Sequence, residues 1–233
     1  MVVVGMELQD ALFTHLLKYK SIPKIPIRGP HLDKLGLVDY SFVVFNKITT
    51  PLFLYHLTQF CYLSSRITWS IPDLPSFLWR FFLAVPALFI IYDFFYCFFH
   101  RFLHHPSVYR FVHKHHHQQN APTRGLVDAL NTHPFEYVTG EWDHLFATYL
   151  LTLVMEVPVQ AIMAFMLIGS FLAGLNHTRL DIGLWLIYQV KHHDAHHRYP
   201  TVNYGQYIVL WDLVFKSYQE SRESRGNNVS KRK

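Results

Sequence analysis

The stretch LFATYLLTLVMEVPVQAIMAFMLIGSFLAGL, Leu145 to Leu175, decides how this chain folds. As one straight helix its 31 residues reach about 46 Å, well beyond the roughly 30 Å hydrocarbon core of a bilayer. Glu156 and Pro158 stand near its middle, and a proline there removes a backbone donor and clashes with the preceding turn. The stretch therefore reads as a re-entrant or spanning hairpin, with its turn near Glu156 to Pro158. A hairpin returns the chain to the side it left, so residues before and after it can meet. A single span would hold them apart.

The residues in question are histidines. Two triplets share the form His-x-x-His-His: His113, His116, His117 and His193, His196, His197. His100, His104 and His105 precede the first. On a helix, spacings of three and four residues place side chains on one face, so each triplet is expected to present a common face. Pro106 disfavours helix at His105, which leaves His104 as the ligand expected there and His105 as the alternative. His115 and His192 fall off these faces as bystanders or as donors behind the ligands. His15, His31, His56 and His144 stand alone and read as structural.

Composition places these clusters. Charged residues make up 16% of the chain, against about 25% in ordinary soluble domains, which points to a membrane protein of one domain. Phe77 to Phe99 is the best span at 23 residues, with Arg80 near enough to one end to snorkel. Val38 to Leu63 is weaker, because Lys47 and Pro51 make it irregular. Between them, Ile71-Pro72 and Leu74-Pro75 break the chain. The expected fold is all-α: a polytopic membrane helical bundle of about two helical hairpins, with a cytosolic histidine-rich helical cap. Residues 1–34 form a cytosolic N-terminal segment, 35–220 the membrane domain and 221–233 a basic polar tail.

Charge sets the sidedness. Segments 1–34, 100–136 and 177–233 carry eighteen of the twenty-one Lys and Arg residues, so the positive-inside rule puts them in the cytosol. The sequons at Asn176 and Asn228 are then chance matches. The net charge of +5 comes from scattered residues that suit anionic lipid, not nucleic acid. Residues 1–10 lack a basic start and a cleavage site, so no signal peptide is expected. Cys61 and Cys97 lie in apolar surroundings and read as buried thiols.

His177 and Asp181 lie one turn apart after the returning helix and are expected to join the metal ligands. His133, in His133-Pro134-Phe135-Glu136, is either a ligand, a donor behind one, or a structural histidine; a helix N-terminus at Pro134 accounts for Glu136. Asp93, seven residues before His100 on the same face, is placed to orient a ligand through the far imidazole nitrogen. His100, His104, both triplets and His177 make nine imidazoles. One ion rarely takes more than six ligands, so nine call for two metals. Nitrogen-rich sites without thiolates suit iron with positions open to O2 better than structural zinc.

These motifs resemble the sterol desaturase and fatty acid hydroxylase superfamily. The resemblance runs from Asp93-Phe94-Phe95-Tyr96 through His100-Arg101-Phe102-Leu103-His104-His105-Pro106, the run His113 to His117 and Ala121-Pro122-Thr123. It continues through His133-Pro134-Phe135-Glu136, Asn176-His177 with Asp181, and His193-Asp194-Ala195-His196-His197 to Asn203-Tyr204-Gly205 and Trp211-Asp212. It covers about residues 77–218. It implies an enzyme of the endoplasmic-reticulum membrane with a cytosol-facing di-iron centre. Such enzymes use O2 and reducing equivalents to hydroxylate or desaturate sterols, fatty acyl chains or sphingoid bases. Two departures touch the subfamily and spare the histidines: Phe215-Lys216-Ser217 replaces Phe-Gly-Thr, and Thr178-Arg179-Leu180 replaces a Gly-Tyr that often follows His177. No His-Pro-Gly-Gly haem signature is present, so electrons are expected from an external NAD(P)H-linked donor such as cytochrome b5 and its reductase. The rivals are a membrane metal transporter or metal-binding protein without oxygenase activity, which would carry its ligands inside the spans, and a zinc hydrolase, which would carry His-Glu-x-x-His.

Overall fold

A computed structural model describes residues 2–27, 34–71, 73–184 and 187–220. His31, Pro72, Asn228 and the 221–233 tail lie outside them. Four long helices carry the architecture: α2 (Leu37–Leu63), α3 (Leu74–Leu103), α6 (Pro134–Val154) and α7 (Val159–Asn176). Shorter helices are α1 (Val2–Leu16), α4 (Pro106–Tyr109), α5 (Leu126–Leu130), α8 (Val190–Arg198) and α9 (Leu210–Val214). Two strand pairs are minimal. β1 (Ile67–Thr68) runs parallel to β2 (Val157–Pro158), and β3 (Gly183–Leu184) runs antiparallel to β4 (Tyr188–Gln189).

α3 starts where the Asp73 side chain accepts the Ser76 N–H at 2.8 Å. At 30 residues it is about 45 Å long, so its last turn, with His100, can project beyond a hydrocarbon layer. α3 and α7 are the two described helices long and apolar enough to cross a membrane. α6 packs against both α2 and α3, while α7 lies on α3. Ala84, Ala147 and Ala161 are fully buried and let the helices come close, and Leu88, Tyr92, Ile162 and Phe165 fill the space between. Outward, Trp79, Phe82, Val154 and Leu167 remain exposed, an apolar exterior compatible with lipid.

The apolar stretch does break. α6 ends at Val154, and α7 begins at Val159 behind Pro158. This turn is pinned to the α2–α3 loop: Val157 N–H donates to Arg66 O at 2.9 Å, Arg66 Nε to Thr152 O at 3.1 Å, and Arg80 pairs with Glu156. Both loops thus lie at one end of the bundle, and the histidines gather at the other.

Two expectations change. α2 is continuous through Pro51, not irregular: Thr49 and Thr50 hydroxyls donate to Asn46 O, and Lys47 pairs with Glu7 of α1 at 2.6 Å. Asp93 orients no imidazole. Its carboxylate, fully buried, accepts the backbone N–H groups of Gln206, Tyr207 and Ile208 at 2.5 to 3.2 Å. The 206–208 loop occupies the carboxylate in place of an imidazole. Asp93→Ala should leave these amides without their acceptor and lower stability by about 3 kcal/mol. Thermal unfolding in detergent measures it, and an unchanged midpoint would remove Asp93 as the loop's anchor.

Candidate metal centre

The triplets do not act as units. Residues around 110–115 are turns, followed by a 3-10 turn at His116–Gln118, so the first triplet has no α-helical face to share. His113 and His117 join His100, His104 and His196 in one group. His116 joins His177, His193 and His197 in a second. Each triplet gives its outer pair to one group and its middle histidine to the other. Within each group the ligand atoms lie within 4.8 Å of one another. The groups share a wall, with the rings of His117 and His197 5.0 Å apart.

The nitrogens that converge are Nε2. In the first group His100 stands 3.0 Å from His113, His113 3.0 Å from His117, and His104 3.2 Å from His196. In the second, His116 is 3.2 Å from His177, His177 3.1 Å from His193, and His193 3.0 Å from His197. The opposite nitrogen fixes the tautomer. His100 Nδ1–H donates to Tyr204 O at 2.8 Å, His196 Nδ1–H to Val202 O at 2.7 Å and His177 Nδ1–H to Ala173 O at 2.8 Å. His113 Nδ1 stands 2.8 Å from the buried Glu136 carboxylate, off the line of an ideal hydrogen bond. The Nε2 atoms of His100, His196 and His177 therefore carry bare lone pairs directed into the groups. The spacing suits ligands about 2.1 Å from a shared cation, which lie about 3.0 Å apart when at right angles. The donor set fits a nitrogen-bound transition metal in each group.

Burial keeps the imidazoles neutral. His113, His116, His117, His193, His196 and His197 are all held well below the ordinary histidine value of 6.5, first by desolvation. His104 is lowered for the same reason and stacks on Tyr109 at 5.4 Å.

Four further residues named from the sequence stand outside both groups. His105 caps α4 and is exposed, its Nδ1 accepting from Ser107. His133 caps α6 and accepts the Phe135 N–H at 3.2 Å. Asp181 pairs with Lys191 at 2.7 Å. Asp93 holds the 206–208 loop. Of the bystanders, His115 lies 3.0 Å from Asp39, and His192 meets the Tyr218 hydroxyl at 3.3 Å.

Sequence reasoning missed most of the residues behind the ligands. Glu136 faces His113 from the first turn of α6, and only its place beside His133-Pro134 hinted at a role. Arg179 is buried, pairs with Asp194 of α8 and donates to Ile25 O and Pro26 O, tying an N-terminal strap to the second triplet. The carbonyls of Ala173, Val202 and Tyr204 carry no sequence signal at all.

An apolar cavity of about 710 Å³ runs from this centre into the bundle. His100 and His113 of the first group and His116, His177 and His193 of the second line one end. Phe53, Leu54, Met163 and Met166 line its body, and α1 contributes Val2 and Met6.

Comparison with known proteins shows the family of this chain. The fatty acid hydroxylase family model matches residues 85–217, more than half the chain, and the chain belongs to that family. It is 29% identical over 181 residues to a Delta(7)-sterol 5(6)-desaturase of Candida dubliniensis, covering 76% of this chain and 44% of that protein. It is 33% identical over 119 residues to the fatty acid hydroxylase ahd1 of Mycosarcoma maydis, covering 51% of this chain and 29% of that one. The chain thus spans less than half the length of these curated relatives. No solved structure matches.

Protonation should act against the metal-free fold. The folded pKa values lie below the unfolded value, so the unfolded state binds more protons and stability rises with pH. Stability from these histidines is complete above about pH 6.5 and is lost as pH falls below it. Metal-free protein should show a falling unfolding midpoint between pH 7.5 and 5, and a flat profile would contradict the neutral assignment.

Proposed function

We propose that the protein is an O2-dependent di-iron lipid oxidoreductase, hydroxylating or desaturating an unactivated C–H bond of a sterol, fatty acyl or sphingoid lipid. The observation that carries this is the continuity of the apolar cavity with histidines of both groups. His100, His104, His113, His117 and His196 would hold one iron; His116, His177, His193 and His197 would hold the other. Iron held there would supply oxygen activation and attack on a C–H bond that no side chain is basic enough to deprotonate.

The chain's own groups do the rest. Carbonyls of Tyr204, Val202 and Ala173 orient His100, His196 and His177. Glu136 supports His113. Phe53, Leu54, Met163 and Met166 exclude water and receive a lipid chain, within the size range of small-molecule cavities. Electrons come from an external NAD(P)H-linked donor such as cytochrome b5 and its reductase.

We place the centre on the cytosolic face of the endoplasmic-reticulum membrane, where the Lys and Arg excess lies. A transporter reading fits less well, because the imidazoles cluster at the ends of α3 and α7, away from mid-span.

Lipid profiling of cells expressing the chain should show an oxidised lipid that disappears in His113→Ala, with its precursor accumulating. Metal analysis should give two irons per chain, and cysteines placed at 105 and 199 should label from the cytosol alone. Stoichiometric zinc with no turnover under reduction, or labelling of the two positions from opposite sides, would sink the reading.

A further inference from the structure

Among the polar groups of the cavity wall, Thr50, Tyr137 and Glu141 meet between α2 and α6. The Thr50 hydroxyl lies 2.7 Å from Glu141 Oε1 and 2.8 Å from the Tyr137 hydroxyl. Glu141 Oε2 is buried and has no hydrogen-bond partner, and Glu141 forms no ion pair among the described residues. Lys47, one turn before Pro51 on α2, is engaged with Glu7. A buried acceptor left open is retained only at some loss of stability.

The cluster has a defined place along the cavity. Glu136, beside His113, precedes Glu141 by five residues on α6, an axial rise of about 7.5 Å. A group held at Glu141 therefore lies beyond contact with the histidines, while the molecule carrying it can reach them.

We propose that Thr50, Tyr137 and Glu141 form a recognition site for the hydroxyl of a lipid alcohol, which sets the depth of the lipid against the metal centre. This rests on the lipid-oxidation reading of the same cavity and narrows its substrate class. A hydroxyl donates to Glu141 Oε2 and satisfies it. A free fatty acid would bring a second acidic group against Glu141 in a low-dielectric wall. An ester or ether offers no proton to the open oxygen. A sterol and a linear long-chain alcohol present the same donor, and the test separates them.

The full chain in detergent, without reductant, is titrated with tritiated cholesterol and tritiated 1-hexadecanol. The competitors are the O-methyl ether of each and palmitate. At least one alcohol should bind roughly tenfold tighter than its ether and than palmitate, since the hydrogen bond donated to Glu141 is lost in the ether. Glu141→Met should abolish that preference, and Glu141→Gln, which keeps a carbonyl acceptor, should retain it. The wild-type comparison decides without any variant: equal binding of both alcohols and their ethers overturns the proposal. So does a preference that survives in folded Glu141→Met protein. Oxidation with no preference overturns this site alone; a preference with no oxidation of any lipid overturns the oxidoreductase reading and leaves the site standing.

Discussion

Imidazole nitrogens stripped of protons and set 3.0 to 3.2 Å apart repel one another unless a cation sits among them. Nine histidines crowded into two groups, most of them buried, form an assembly that the fold must hold in place. The rest of the structure answers that demand. Backbone carbonyls at 173, 202 and 204 take the outer N–H groups and so turn the bare nitrogens inward.

Those carbonyls belong to segments that are themselves fixed. Tyr204 precedes the loop that Asp93 holds, and Asp212 accepts the Tyr204 and Gly205 N–H groups at 2.8 Å. Asp194, between two ligands on α8, is clasped by Arg179 and Arg198. Buried ion pairs of this kind add little net stability, because desolvation offsets the attraction, but they fix geometry. Arg179 also reaches the strap at Ile25 and Pro26, so a segment far from the histidines in sequence holds α8 in place.

Much of the architecture was legible because proline and hydropathy act locally. Pro158 stands at the break between α6 and α7, whereas α2 runs on through Pro51, and α7 returns His177 to within 3.2 Å of His116. The arrangement of the triplets was not legible. A spacing of three and four implies one helical face only if a helix forms, and the segment before His116 turns instead. Asp93 shows the same limit: its position on α3 could be counted, but the partner that came to meet it could not. Asp181 lies one turn from His177 in sequence, yet Lys191 takes its carboxylate.

The sequence by itself determined that this chain carries apolar helices and nine clustered histidines, since residue type and periodicity are properties of the string. Only the tertiary structure decided which imidazole belongs to which group, what stands behind each, and that Thr50 meets Tyr137 and Glu141. These depend on contacts between residues that are as much as 161 positions apart, as Gln9 and Ser170 are, and such contacts arise only once the helices pack. Local spacing constrains neighbours along one helix, whereas a site is made where several helices end together.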